Sequence, residues 1–214
     1  MRPALAILIL VSLLASIIPA SPATAAPPTK IKFNEVLAIQ YIGAGDIRQV
    51  GNPNGNYYWL VKDRPAEGVI RTGNFFPSGT FSFVYSGLFR PDQSGRAEGT
   101  LTLTTPAGTA IAKVTTSIGA TAPVGIALKD GQPFGIVVKA SFSSAHFAFS
   151  KGTGAYRDLT GIGTFTGDTY TILDMSGTHV IAFADGTYPV VGFDGSYLGN
   201  PASLMTMTGS GVIG

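Results

Sequence analysis

Hydrophobic and polar residues alternate along most of the chain, in short runs separated by turn residues. The run TFSFVYSGLF at 80–89 places Phe81, Phe83 and Tyr85 on one face and small or polar residues on the other. Alternation with a period of two residues is typical of β-strands that bury one face. Helical periodicity is almost absent beyond the N-terminal segment. The pattern therefore predicts an all-β protein.

About ten or eleven such runs occur, at the spacing expected of a β-sandwich or barrel. They cover 33–42, 57–62, 68–72, 80–89, 100–105, 108–116, 136–149, 161–172, 178–184, 187–193 and 204–213. Gly-Thr pairs precede many of them, since glycine opens a turn and β-branched threonine begins an extended run. We expect one antiparallel, calycin-like barrel of eight strands or slightly more, with the irregular insert 117–133 covering one end.

The first segment follows a different pattern. Arg2 precedes an apolar run over 4–18, and Ala23-Thr24-Ala25 then supplies the small residues that signal peptidase recognises. The apolar run is shorter than the roughly 20 residues of a membrane-spanning helix, which disfavours an uncleaved anchor. The predicted organisation is a signal peptide over 1–25, cleaved after Ala25 or Ala26, a short linker over 26–32 and a barrel over 33–214. The mature protein is expected in the periplasm, at the cell surface or in the medium.

Composition excludes several classes of function. Charged residues make up only 12% of the chain, and the net charge is +2 with the basic residues scattered singly. Nucleic-acid binding needs clustered lysine and arginine, so it is not expected. The chain has no cysteine, which excludes disulfides, thiolate metal sites and a cysteine nucleophile.

The glycine-rich stretch KGTGAYRDLTGIGTFTG at 151–167 is the most informative segment. A phosphate-binding glycine loop needs a helix directly after it, whereas more glycine and threonine follow here. We expect a hairpin connection with Tyr156 buried and a second glycine pair where strands pack closely.

This stretch resembles the hairpin signature of the allene oxide cyclase and dirigent barrel group, whose members often carry Gly-Thr-Gly-[Tyr/Phe]-Arg-x-x-x-Gly. The upstream run SGRAEGTLTLTTPAG at 94–108 is similar to a strand and turn of bacterial relatives, so the resemblance covers roughly residues 80–172. It implies an eight-stranded antiparallel barrel with an apolar cavity. Plant members cyclise an unsaturated fatty-acid epoxide or steer phenoxy-radical coupling. The chain has extra strands, and none of the group's catalytic positions aligns with a residue here.

Candidate chemical groups are few. His146 and His179 fall on different predicted strands without a histidine or glutamate partner nearby, so no metal or other cofactor is expected. His146 is expected to line the barrel interior beside Phe142. Three acidic residues fall inside strands and face either solvent or a cavity, where burial would raise the pKa. They are Glu35, Glu98 and Asp168. Arg64 is expected among solvated strand ends.

The aromatic residues either fill the barrel or line an apolar pocket with a few polar anchors. The candidate ligand-binding residues are Tyr85, Glu98, His146, Tyr156 and Tyr170. Three functions remain open: a barrel that binds a small apolar or phenolic ligand without catalysis, a cyclase or isomerase, and a structural or adhesive surface domain. The first is favoured. An outer-membrane barrel is the poorest alternative, and assembly into a homo-oligomer is left open.

Overall fold

A computed structural model describes residues 27–43, 45–52, 56–174, 180–182 and 188–214. The predicted signal peptide and His179 lie outside the described residues. The described chain forms strands joined by turns, with one 3-10 turn at Gly154–Tyr156. In chain order the strands are β1 (Thr29–Ile42), β2 (Asp46–Gly51), β3 (Tyr57–Gly73), β4 (Gly79–Phe89), β5 (Gly95–Thr105), β6 (Gly108–Ile118), β7 (Ala122–Lys129), β8 (Gln132–Gly152), β9 (Thr160–Asp174), β10 (Val180–Ala182), β11 (Val190–Val191), β12 (Tyr197–Gly199) and β13 (Leu204–Ile213).

Eight of the strands close into an antiparallel barrel. Hydrogen bonds run in the order β9-β13-β1-β3-β4-β5-β6-β8, and β8 pairs back with β9 to complete the circle. Closure leaves none of these eight strands as a free edge along its barrel half. The prediction of an all-β antiparallel barrel, eight strands or slightly larger, is therefore confirmed.

The remaining five strands lie outside the barrel circle. β2 pairs with the first part of β3, β10 pairs with the end of β9, and β7, β11 and β12 extend the sheet from the first part of β8. The extension buries a second, smaller core built from Ala127, Val137, Ile172 and Val190. On one side, β3, β8 and β9 thus each pair with an outer strand along one part of their length and with a barrel strand along the other.

Bulges bend the two longest strands. The β3–β4 register shifts between Val61 and Arg64, where Asp63 has a φ of 49°. The β8–β9 register shifts between Phe142 and Ala145, where Ser144 has a φ of 51°. An inserted residue changes which side chains face inward beyond that point, because side chains alternate across a strand.

Two predicted connections are strands instead. The insert 117–133 contains the end of β6, all of β7 and the start of β8, so it is paired sheet rather than an irregular cover. The first strand begins at Thr29, and residues 29–32 of the predicted linker pair with β13. Hydrophobic and polar residues alternate only weakly in both segments, but the neighbouring strands provide hydrogen-bond partners for the backbone. Within the described residues no helix is long and apolar enough to cross a membrane.

Aromatic side chains fill one end of the barrel, which we call the plug. Its rings belong to Phe33, Phe75, Phe76, Phe147, Phe149 and Tyr156, with neighbouring centroids 4.9–6.1 Å apart. The 151–167 stretch is a hairpin connection from β8 to β9, as predicted, and Tyr156 is buried. A Cβ at Gly163 would collide with the Phe147 ring, which explains a glycine in that strand.

Candidate ligand cavity in the barrel

The end of the barrel opposite the plug is open. It holds a cavity of about 590 Å³, within the usual size range of small-molecule sites. The walls come from Ile39 and Ile42 at the end of β1, from the first part of β3 and from the end of β4. Below the cavity, Leu101, Val114 and Phe165 are buried and close the interior. The barrel is therefore solid at one end and hollow at the other.

Small side chains help to leave this space. Ala66, Ala97 and Ala140 line the cavity from three different strands. The rest of the wall is largely apolar and includes Trp59 and Phe89. An apolar wall of this kind favours an apolar ligand, because burial removes the ligand's surface from water.

One pair of polar side chains marks the cavity wall. Arg64 on β3 lies directly opposite Tyr85 on β4 in the strand register, and both are half-buried. Nε of Arg64 donates a hydrogen bond to the carbonyl oxygen of Gly43 at 2.9 Å. The Tyr85 ring stacks on Phe83 with centroids 5.3 Å apart. Arg64 is thus held by a backbone carbonyl, and Tyr85 is held by a neighbouring ring of the wall.

Burial raises the pKa of Tyr85, because the phenolate would lose its hydration. The charge of Arg64 and its hydrogen bond to the phenol oppose this rise. Among the residues described, no carboxylate lies within ion-pair distance of Arg64. The cavity therefore contains a cation whose only described polar partners are a backbone carbonyl and a phenol.

Across the cavity from this pair the polar groups are hydroxyls. Thr169 and Thr171 come from β9, and Thr116 comes from β6. Thr116 and Thr169 already donate to the backbone carbonyl oxygens of Ser117 and Ala140, at 3.3 and 3.4 Å, so these two hydroxyls offer a ligand only their acceptor lone pairs. No carboxylate or histidine lines the cavity within the part of the chain that is described.

The predicted site residues separate into different places. Tyr85 lines the cavity. Tyr156 lies in the plug, where its hydroxyl and that of Thr105 hydrogen-bond at 3.0 Å. Tyr170 packs against the smaller second core. Glu98 is exposed on the outer face of β5.

His146 is also exposed, so its expected place in the barrel interior is wrong. The bulge at Ser144 is the reason, because Phe142 and Ala145 both face inward across it and His146 is turned outward. The same effect at Asp63 brings Arg64 into the cavity, whereas the sequence suggested a solvated strand end. A bulge leaves little local signal in a sequence, and Arg64 was missed for that reason.

The two remaining strand carboxylates do not meet the cavity. Glu35 is fully buried but sits toward the plug, where its oxygens accept hydrogen bonds from the backbone N–H groups of Phe75 and Phe76 at 3.0 and 3.3 Å. Asp168 accepts hydrogen bonds from Lys139 at 2.8 Å and from Ser141 at 2.6 Å. Burial alone would raise the pKa of Asp168, but these two bonds lower it.

The fold and the cavity define a closed antiparallel β-barrel with one hollow end. Comparison of the chain with protein-family models, with curated proteins and with solved structures found no match. Within the described residues no group of three histidine, cysteine, aspartate or glutamate side chains is placed to hold a metal ion. The argument for function therefore depends on the cavity's own geometry.

Proposed function

We propose that this protein is an exported β-barrel that binds a small apolar or phenolic ligand in its cavity without catalysing a reaction. The observation that carries the proposal is the 590 Å³ space with a largely apolar wall and one Arg64–Tyr85 pair. Binding sites for small molecules typically combine apolar walls with a few polar groups that fix orientation.

The chemistry of the wall favours binding over catalysis. A cyclase or isomerase of the kind suggested by the hairpin resemblance needs an acid or base that can reach the ligand. Neither oxygen of Glu35 points to the cavity, since both accept hydrogen bonds from the chain near the plug. Membership of the allene oxide cyclase and dirigent group is part of the proposal, supported by the closed barrel and by the hairpin at 151–167.

The Ala140→Trp variant is expected to abolish ligand binding. Ala140 lines the cavity, and an indole there would occupy space that a ligand needs. The measurement is fluorescence titration with N-phenylnaphthylamine, an uncharged apolar dye that brightens when it leaves water. We expect wild-type protein to bind the dye and the variant to lose at least about tenfold in affinity.

Ala148→Trp is the matched control, because Ala148 is exposed on the outer face of the same strand. It is expected to bind the dye as the wild type does, with both variants retaining the melting temperature within a few degrees. Equal dye binding by Ala140→Trp and wild type would place the dye elsewhere. A wild-type protein that binds no dye would favour the structural or adhesive alternative.

Export is tested by the N-terminus of the mature chain. When the full-length gene is expressed in its own host, we expect the protein recovered outside the cytoplasm to begin at Ala26 or Pro27. Edman sequencing or intact mass measures this directly. A chain that keeps Met1 and stays with the cytoplasmic fraction would contradict the signal-peptide prediction.

A further inference from the structure

The Arg64 guanidinium is an unusual group for an apolar cavity. Taking a charge out of water is costly unless it is paired, and no described carboxylate pairs with Arg64. Its position is nevertheless fixed, because the Nε bond to Gly43 and the adjacent Tyr85 hold the side chain against the wall. A fixed, half-buried cation without an anionic partner is suited to receive that partner from a ligand.

The two side chains also offer the right hydrogen-bond donors. A guanidinium presents five N–H donors in a planar fork, and Nε accounts for one of them. The Tyr85 hydroxyl can donate as well, and its raised pKa keeps it protonated at neutral pH. A carboxylate can accept from both groups at once, and such charge-assisted bonds are stronger than bonds between neutral groups.

The rest of the cavity wall indicates what kind of apolar body the ligand has. The Phe83 ring stacks on Tyr85, and Trp59 and Phe89 also line the cavity. Aromatic rings pack well against aromatic ligands in offset or edge-to-face arrangements. The volume of about 590 Å³ accommodates a body of one or two fused rings with a short side chain.

We propose that the cavity selects an amphipathic organic anion, with a carboxylate on Arg64 and Tyr85 and an aromatic body packed on the apolar wall. This inference rests on the proposed binding function and names the class of ligand. It predicts that affinity depends on the charge of the head group as well as on the apolar body.

Naphthylacetate and naphthylethanol provide a matched pair of probes, since they share the ring system and differ in the charge of the head group. Affinities are measured by displacement of N-phenylnaphthylamine from the mature wild-type protein at neutral pH. We expect naphthylacetate to bind about tenfold more tightly than naphthylethanol. Equal affinities, or tighter binding of the alcohol, would overturn the anion proposal while leaving the binding function intact. Failure of both probes and the dye would overturn both.

Variants of Arg64 and Tyr85 test whether these two side chains cause the preference for the anionic probe. Arg64→Met keeps an apolar stem, and it is expected to remove the preference for naphthylacetate while changing the affinity for naphthylethanol less than about twofold. Tyr85→Phe keeps the cation and is expected to reduce the preference by about threefold to fivefold. Arg96→Met, on the exposed face of β5, is the control and should behave as wild type. Persistence of the full preference in folded Arg64→Met and Tyr85→Phe would overturn the assignment.

Discussion

Replacing Phe76 by alanine is expected to lower the free energy of unfolding by about 3–5 kcal/mol. Phe76 is fully buried at the centre of the plug. Its ring lies 4.9 Å from the ring of Phe75 and 5.0 Å from that of Tyr156, measured between centroids. Removing it opens a void among rigid strands that are closed by hydrogen bonds, so the neighbouring rings have little room to collapse. Urea denaturation of the two proteins measures the difference.

Phe193→Ala is the control, because Phe193 is 61% exposed near β11. It makes the same chemical change without opening a core, and we expect a difference within about 0.5 kcal/mol of wild type. A loss below about 1 kcal/mol for Phe76→Ala would mean that the plug is loosely packed. Because the cavity lies at the other end of the barrel, folded Phe76→Ala should bind N-phenylnaphthylamine as the wild type does.

Most of the barrel strands could be predicted because their signals are local. The alternation over 80–89 and the glycine turn before Tyr156 each lie within a few residues, and the structure has β4 and the β8–β9 connection at those places. A glycine-rich hairpin is readily distinguished from a phosphate loop, since the two differ in what directly follows. Local patterns of this kind are enough to predict the fold class without knowledge of any tertiary contact.

The side of the barrel that each residue faces could be predicted only between bulges. Past Ser144 the inward positions shift by one residue, which moves His146 from the expected interior to the exterior. Past Asp63 the same shift turns Arg64 inward. A bulge arises where two strands need different lengths to follow the curvature of the barrel, and that requirement involves strands far away in sequence.

Whether the barrel is solid or hollow could not be predicted either. The interior volume is set jointly by eight strands, and most of the cavity-lining residues are ordinary apolar core residues when considered alone. Ala66, Ala97 and Ala140 help to leave a space only because the fold brings their three strands around one cavity. The aromatic residues from which the sequence suggested a ligand pocket are divided between the plug and the cavity wall.

Replacing Glu35 is the second change that is expected to have a large effect on the free energy of unfolding, and the environment of its side chain explains why. The carboxylate is buried, and it anchors the chain after β3 by accepting hydrogen bonds from Phe75 and Phe76. Gly73 stands opposite it in the register, and any Cβ there would overlap Oε2 of Glu35. Glu35 therefore holds the segment that carries two rings of the plug.

Burial raises the pKa of Glu35 above its usual 4.5, although the backbone N–H groups of Phe75 and Phe76 partly oppose the rise. The native protein therefore binds this proton more tightly than the unfolded chain does. The resulting stability is fully present below the unfolded pKa and is lost as the pH rises through the folded pKa. Glu35→Gln removes the titration and presents an amide NH₂ to one of the backbone donors. We expect the variant to be less stable by about 1–3 kcal/mol near pH 4, and the deficit to shrink toward pH 7.

Urea denaturation of both proteins at the two pH values measures this deficit, and the other titrating groups cancel in the difference. Glu98→Gln makes the same change on an exposed position of β5, and it is expected to change the free energy of unfolding by less than about 0.5 kcal/mol. A deficit for Glu35→Gln that grows toward pH 7 would mean that the ionised carboxylate is favoured in the native state. The hydrogen bonds from Phe75 and Phe76 would then outweigh the cost of burial, and Glu35 would be a charged anchor for the plug at neutral pH.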